Sequence, residues 1–196
     1  MILKEDVIEF FDSCAPSWDE WMIKCDKKIC TILDNVGVKK GSKVLDVACG
    51  TGVLIPYYLG RDVESVLGVD ISPKMIEIAK EKFDNERVSF LTADVECVDI
   101  DSDYDCIVVY NAFPHFQDGE RLIKFLAHHL KRGGKLTIAH GASREEIDSH
   151  HKGHAAKVSN GLMEAGDLSD IISRYLKVTT VISNEEMYQV VGENLR

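Results

Sequence analysis

Apolar residues follow two different patterns along this chain: short continuous runs and recurrence at helical spacing. Short, nearly continuous apolar runs are typical of strands buried on both faces, and they occur at 43–47, 65–70, 88–93, 104–110, 135–140, 178–183 and 187–191. Between most of these runs, apolar residues recur at helical spacing, which predicts helices at 53–59, 73–83, 119–130 and 167–176. Strand and helix therefore alternate, and this alternation predicts a doubly wound α/β fold.

The segment before the first strand is predicted to be helical. Residues 4–36 have apolar positions at helical intervals, interrupted at Ala15-Pro16-Ser17. We predict one domain over 1–196, in which residues 1–40 form an N-terminal helical cap on a core at 41–196. Trp18 and Trp21 in this cap either form part of a lid that touches the substrate or pack as an aromatic face on the sheet.

The second half of the chain has three further signals. Lys131-Arg132-Gly133-Gly134 joins basic residues to glycine, which predicts a helix C-terminus there. Residues 143–160 form a polar, histidine-rich insertion. Only Asn184-Glu185-Glu186 separates the last two strands, which predicts an antiparallel hairpin at the edge of the sheet.

A glycine-rich loop follows the first strand, in the sequence Lys43-Val44-Leu45-Asp46-Val47-Ala48-Cys49-Gly50-Thr51-Gly52. Small residues there let a ligand lie against the backbone, at the edge of a parallel sheet where ligands bind. The loop lacks Gly-Lys-Ser/Thr, which disfavours a triphosphate-binding loop. Carboxylates at Asp46 and at Asp70, the end of the next strand, would repel a pyrophosphate but attract a ligand with ammonium, sulfonium and ribose hydroxyl groups.

These two segments resemble motifs of the class I S-adenosylmethionine-dependent methyltransferases. Val44 to Gly52 resembles their first motif, with Ala48 where glycine is common, and Val69-Asp70-Ile71-Ser72 resembles their second. The resemblance implies a seven-stranded Rossmann-like sheet in the order 3-2-1-4-5-7-6 with strand 7 antiparallel. It covers the last four fifths of the chain, roughly, and is closest to the small-molecule group that includes the ubiquinone and menaquinone methyltransferases.

The resemblance also implies contacts with S-adenosylmethionine at successive strand ends. Asp46 would lie near the amino-acid moiety and Asp70 would accept both ribose hydroxyls. Asp94 is either a contact for the adenine amine or a solvated loop carboxylate. The other implied cofactor contacts are Ala48, Gly50, Gly52, Ile71, Met75, the Val95 amide and the Asn111 carbonyl.

Histidines are concentrated near the predicted methyl position. His115 follows strand four and His140 ends strand five, so we expect the two side chains to converge. Three readings stay open: a histidine general base, a divalent metal such as zinc, or a solvated histidine-rich loop. The metal ligands would come from His115, His140, His150, His151 and His154. Arg144 either binds a substrate carboxylate or phosphate or is an exposed surface arginine.

The composition of the chain indicates which classes of binding partner are unfavourable. A formal net charge of −10 disfavours nonspecific binding to nucleic acid and anionic membranes. We expect a cytoplasmic protein, because residues 1–6 lack the layout of a signal peptide and no apolar run approaches about 20 residues. The six cysteines contain no Cys-x-x-Cys pair. We expect them to be mostly small buried residues in a reducing compartment, without disulfide bonds.

Two functional hypotheses follow from the sequence. The first is an enzyme that transfers the methyl group of S-adenosylmethionine to a small-molecule acceptor, assisted by a histidine base or a histidine-bound metal. The second is a non-catalytic sensor or partner module that binds S-adenosylmethionine or a metal on the same fold. The acceptor and the oligomeric state do not follow from the sequence.

Overall fold

A computed structural model describes residues 2–21, 25–151 and 155–196, without the side chains of residues 21, 150 and 151. The strands are β1 Lys43–Val47, β2 Ser65–Asp70, β3 Val88–Thr92, β4 Tyr104–Tyr110, β5 Leu130–His140, β6 Lys177–Ser183 and β7 Tyr188–Glu193. The helices are α1 Lys4–Cys14, α2 Trp18–Trp21, α3 Asp26–Val36, α4 Ile55–Leu59, α5 Pro73–Lys82, α6 Gly119–His128, α7 Arg144–His151 and α8 Ala165–Ser173. Short 3-10 helices occupy Ala15–Ser17, Val95–Cys97 and Phe113–His115.

The seven strands form one sheet in the order β3-β2-β1-β4-β5-β7-β6. Neighbouring strands from β3 to β5 are parallel, whereas β7 is antiparallel to both β5 and β6. The predicted strand order and the antiparallel final strand are therefore confirmed. The carboxyl ends of β1 to β4 lie along one edge, so the residues that follow them are brought together.

Alternate residues of the central strands enter two cores, one on each face of the sheet. In β4, Ile107 and Val109 pack with α6 and α8, whereas Cys106 and Val108 pack with α3 and α4. All four side chains are almost completely buried. This burial on both faces explains why the strand reads as an unbroken apolar run.

The boundary between α6 and β5 differs from the sequence prediction. Helix α6 ends at His128, and Lys131-Arg132-Gly133-Gly134 belongs to β5 instead of closing the helix. The strand pairing shifts register between Tyr104 and Cys106, and Gly133 has a φ of +77°. The glycines are needed for this irregular strand start, because a Cβ on Gly134 would lie 2.6 Å from the Tyr104 carbonyl oxygen.

Two other segments refine the predicted boundaries. The histidine-rich insertion contains helix α7, which the sequence pattern did not predict. Helix α5 begins as its capping pattern suggests, with Ser72 Oγ accepting from the Met75 amide at 3.2 Å. The helices within the described ranges are too short or too polar to cross a lipid bilayer.

Gly192 gives a test of the packing between the sheet and α8. A Cβ at this position in β7 would lie 2.6 Å from Ile172 Cγ2 and 2.9 Å from Leu176 Cβ. We expect Gly192→Ala to lower the free energy of unfolding by about 1–3 kcal/mol in urea titrations, because the core has no room for the methyl group.

Gly166→Ala is the matched control, because Gly166 is exposed on α8 and no atom lies within 4 Å of an added Cβ. It should leave stability unchanged or raise it by up to about 1 kcal/mol. Equal stability of the two variants would contradict the packing described here.

Candidate active site

A cavity opens at the carboxyl edge of the sheet and encloses about 1140 Å³, including its open mouth. Its floor is formed by the residues that follow β1, β2, β3 and β4, and α1 and the start of α2 form its cover. An open cleft at this edge of a parallel sheet is where ligands bind in α/β folds.

Asp70, at the end of β2, connects two of the loops that form the cavity floor. Its Oδ2 accepts from the Gly50 amide at 2.8 Å, and its Oδ1 accepts from the Ser72 amide at 2.9 Å. The side chain lines the cavity although it is almost buried. Burial raises the pKa of Asp70, while the hydrogen bonds from the Ser72 and Gly50 amides oppose that rise.

The loop after β1 presents bare backbone to the cavity. Ala48 and Gly50 line it, and both have a φ of +55°. A left-handed alanine stores strain, so this loop is a place where backbone strain and a ligand site coincide. Gly52 does not line the cavity, and a Cβ there would lie 2.7 Å from Phe83 Cε2. The glycine at position 52 is therefore required by packing against α5 and its neighbour Phe83.

Asp46 lies beneath this loop and outside the cavity lining. It is 2% exposed, and its Oδ2 has no hydrogen-bond partner among the residues that the structure describes. Burial, followed by the charge of Asp70, raises the pKa of Asp46 to about 8. A buried carboxylate oxygen without a hydrogen-bond partner, one loop away from the cavity, fits a ligand that carries positive charge.

Ile71, Met75, Asp94 and Val95 all line the cavity, and their role as adenine contacts stays a prediction from the sequence. Asp94 also caps the short helix Val95–Cys97, because its Oδ1 accepts from the Glu96 amide at 3.0 Å. Its Oδ2 forms an ion pair with Lys4 of α1. Burial would raise the pKa of Asp94, but the hydrogen bonds from Lys4 and from the Glu96 amide outweigh it and lower the pKa.

Asn111 and His115 line the cavity near the end of β4. Asn111 has a φ of +54°, and its Oδ1 accepts from the Gly141 amide at 3.0 Å, which ties β4 to the end of β5. His115 lies in the helix Phe113–His115, and its Nδ1 is 2.7 Å from the Val158 carbonyl oxygen. The His115 ring also meets Phe11 of α1 edge to face, with centroids 5.0 Å apart.

His140 and Arg144 do not join His115 at the cavity. His140 is 1% exposed and contacts Tyr188, its partner residue on β7, with ring centroids 6.0 Å apart. His140 is therefore buried beside β7 and does not line the cavity, and its convergence with His115 stays a prediction from the sequence. Arg144 donates to the Leu162 carbonyl at 2.8 Å and pairs with Glu164, so it fastens α7 to the segment before α8.

The metal reading finds no support in the described part of the chain. Residues 2–21, 25–151 and 155–196 contain no group of three or more His, Cys, Asp or Glu side chains placed to hold an ion. His154 lies outside the described residues, and so do the side chains of His150, His151 and Trp21. A metal centre at these histidines is therefore not part of the site that we describe.

The cover of the cavity is held down by carboxylates of the N-terminal helices. Asp12 Oδ1 accepts from Ser72 Oγ at 2.6 Å, at the start of α5. Thr51 Oγ1 in the glycine-rich loop donates to Asp19 at 2.6 Å. Trp18 lines the cavity above Gly50, where a Cβ would lie 3.7 Å from Trp18 Nε1. Trp18 is therefore part of the cover of the cavity, and its contact with a substrate stays a prediction from the sequence.

Several cavity residues were not predicted. Lys4 and Phe11 of α1 line it, as do Glu96 and Arg121 near its mouth. Arg121 is bidentate on Glu96, with N–O distances of 2.7 and 3.0 Å. These contacts join residues that are distant in the sequence, and no periodic signal or motif in the sequence marks them.

The comparisons with known proteins agree with this geometry. Residues 44–134 match the family model described as a methyltransferase domain. This chain contains a methyltransferase domain, and it is similar to class I S-adenosylmethionine-dependent methyltransferases. Residues 44–134 begin in β1 and include Asp70, Asp94 and Asn111, so the matched part contains the floor of the cavity.

Two curated relatives and one solved structure are similar to this chain. The malonyl-[acyl-carrier protein] O-methyltransferase of Acetivibrio thermocellus is 32% identical, over 71% of this chain and 50% of its own. The ubiquinone/menaquinone biosynthesis C-methyltransferase UbiE of Campylobacter jejuni is 27% identical, over 73% of this chain and 66% of its own. The protein solved in complex with the Haloferax volcanii Trm112 methyltransferase activator superposes with a TM-score of 0.81 at 19% identity, covering 95% and 98% of the two chains.

The present chain thus spans about half to two thirds of the length of these curated relatives. The similarity to the Haloferax volcanii structure extends over nearly the whole fold, at an identity that supports only the fold. We therefore infer the function from the residues that line the cavity and not from any one relative.

The raised pKa of Asp46 makes stability depend on pH. The pKa is about 8 in the folded chain and about 4 in an unfolded one. Between these pH values the folded protein holds a proton that the unfolded chain has lost, so stability falls as pH rises. We expect wild type to lose about 1.4 kcal/mol of unfolding free energy per pH unit between pH 5 and pH 7, and Asp46→Asn to lack this loss, as measured by urea unfolding.

Asp99→Asn is the matched control, because Asp99 is exposed. Its stability should follow the wild-type pH curve. If Asp46→Asn follows that same curve, then Asp46 is not protonated in the folded protein.

Proposed function

We propose that this chain transfers the methyl group of S-adenosylmethionine to a small-molecule acceptor, with His115 as the proton acceptor. The observation that carries the proposal is the buried carboxylate of Asp70, fixed at the cavity floor by the Gly50 and Ser72 amides. Each oxygen accepts one amide hydrogen and keeps a second lone pair. Asp70 is thus oriented to accept the two ribose hydroxyls.

The remaining floor residues suit the rest of this cofactor. The backbone at Ala48 and Gly50 would lie along its amino-acid part, above Asp46. Ile71 and Met75 would flank the adenine, and the Val95 amide would face its ring edge. For the adenine amine to reach Asp94, it must share or replace the Lys4 ammonium that now occupies that carboxylate.

Charge favours this cofactor over a nucleotide with phosphates. Asp46 and Asp70 lie near the amino-acid and ribose positions, where they attract ammonium and would repel phosphate. With its pKa raised to about 8, the Asp46 carboxyl group is mostly protonated near pH 7. A positively charged ligand nearby would favour the ionised carboxylate. Binding is therefore coupled to the release of a proton from this carboxyl group.

His115, near the end of β4, would accept the proton of the acceptor molecule. A carbonyl oxygen only accepts, so the 2.7 Å contact with Val158 places a hydrogen on His115 Nδ1. In the neutral ring Nε2 is then the basic nitrogen, which can take the proton of an acceptor hydroxyl, thiol or acidic carbon. S-Adenosylmethionine supplies an activated methyl group, whose bond to sulfur breaks as the acceptor lone pair attacks, leaving a neutral thioether.

The lid restricts the acceptor to a small molecule. Phe11 and Trp18 cover the cavity and contact each other edge to face, with centroids 5.7 Å apart. This cover would limit the access of water and hold the reacting groups close, which is the main contribution a protein makes when the methyl donor is already activated. The cytoplasmic location stays a prediction from the sequence.

Isothermal titration with S-adenosylmethionine tests the cofactor site. We expect wild-type protein to bind it and Asp70→Ala to lose affinity by at least about 100-fold, because two charge-assisted hydrogen bonds of about 1.5–3 kcal/mol each are lost. Asp99→Ala removes an exposed carboxylate and should bind like wild type. Absence of heat with wild type at millimolar ligand would overturn the proposal.

His115→Gln tests the base. Formation of S-adenosylhomocysteine is measured with a panel of small phenols, thiols and acidic carbon compounds, and for an accepted compound the rate should fall by about 10²–10⁴. Cofactor affinity should stay within about threefold of wild type. His128→Gln is the control, because His128 is exposed on α6.

Two outcomes would decide against parts of this proposal. Wild-type turnover in His115→Gln would remove His115 from the reaction. Tight cofactor binding without product from any acceptor class in the panel would favour the non-catalytic sensor.

A further inference from the structure

A small apolar cluster, separate from the two cores of the sheet, lies beside the mouth of the cavity. Its buried members are Ile2, Val7 and Val158, which are 6%, 8% and 3% exposed, and we call these three residues the lid core. Partly buried residues pack around them: Phe10, Phe11, Ile71 and Ala155. The lid core therefore joins the N-terminal helix to the last part of the histidine-rich insertion.

Val158 belongs to the lid core through its side chain and to His115 through its backbone. Its carbonyl oxygen is 2.7 Å from His115 Nδ1. Two residues later, the Asn160 amide donates to the Pro114 carbonyl at 2.8 Å, and Asn160 Nδ2 donates to the Phe116 carbonyl at 3.0 Å. Segment 158–160 thus holds the short helix Phe113–His115 from both sides of the histidine.

The lid also touches the His115 ring directly. Phe11 of α1 meets the ring at an interplanar angle of 87°, with centroids 5.0 Å apart. Val7, one helical turn earlier on α1, is in the lid core with Val158. The same helix therefore restrains the ring through Phe11 and restrains the carbonyl that bonds to it through Val158.

We propose that Val158 is a positioning residue for His115, and that closure of α1 onto the lid core selects the Nδ1–H form of the ring. With α1 in place, Val158 is buried and its carbonyl is held within hydrogen-bond distance of Nδ1. When α1 leaves, Val158 loses its apolar partners, and the segment that carries the carbonyl loses support. The basic Nε2 is then presented to the cavity only under a closed lid.

This inference uses the proposed function in one respect, the role of His115 as the proton acceptor. The link between the lid and the ring tautomer is independent of that role, because it depends only on contacts within the protein. A hydrogen bond that serves local structure alone would keep the same tautomer whether or not α1 is packed in place.

Nitrogen NMR of the imidazole rings in the unliganded protein measures the tautomer directly. Above about pH 8 an unperturbed imidazole is neutral, and long-range proton–nitrogen correlations distinguish Nδ1–H from Nε2–H. His115→Gln identifies the His115 signals by their loss. We expect wild type to hold a single Nδ1–H form, and Val158→Gly and Val7→Ala to shift toward a mixture of the two tautomers.

Glu9→Ala is the control, because Glu9 is exposed on the same helix as Val7. It should keep the wild-type spectrum. Circular dichroism verifies folding, and if Val158→Gly fails to fold, Val7→Ala decides the result. An Nε2–H form in wild type, or wild-type spectra for both core variants, would overturn the proposal.

If the His115 ring becomes a mixture of tautomers in Val158→Gly but not in Val7→Ala, Val158 remains a positioning residue. The proposed role of α1 in selecting the tautomer would then be overturned. None of these results depends on cofactor, so failure of S-adenosylmethionine to bind is a separate outcome. The titration tests the cofactor site, and the spectra test the coupling of the lid to His115.

Discussion

The two hydrogen bonds to Asp70 hold the cavity floor together. The carboxylate is nearly buried, a position that would be unfavourable without the Gly50 and Ser72 amides that solvate it. Because one amide belongs to the loop after β1 and the other to the start of α5, the side chain fixes the distance between these loops. The left-handed Ala48 and Gly50 then leave the backbone exposed to a ligand.

The lid completes the site with contacts of a different kind. Lys4 pairs with Asp94 after β3, Asp12 accepts from Ser72 at the start of α5, and Asp19 accepts from Thr51 in the glycine-rich loop. Exposed or partly exposed ion pairs contribute little individually, so the lid depends as much on Val7 and its apolar neighbours. Such a marginally held element can open for a ligand and close over it.

The sequence was sufficient for the sheet order, and it placed Asp70, Asn111 and His115 at strand ends that line the cavity, because apolar runs and strand ends are local signals. The directions of single side chains are not local: His140 ends a parallel strand as predicted, but it contacts Tyr188 and does not line the cavity. The β5 start was missed because a lysine-arginine-glycine-glycine sequence suits both a helix end and an irregular strand. The pair of Lys4 and Asp94 spans ninety residues, and no pattern in either segment indicates it.

A crystal structure with S-adenosylhomocysteine would test the central claim, that Asp70 anchors a sulfonium cofactor beneath the lid. We predict that both ribose hydroxyls bind the Asp70 carboxylate, with the Gly50 and Ser72 amides still bonded to it. We also predict that the sulfur points toward Asn111 and His115, with adenine between Ile71 and Met75. A ligand bound elsewhere, or one whose ribose does not contact Asp70, would contradict this claim.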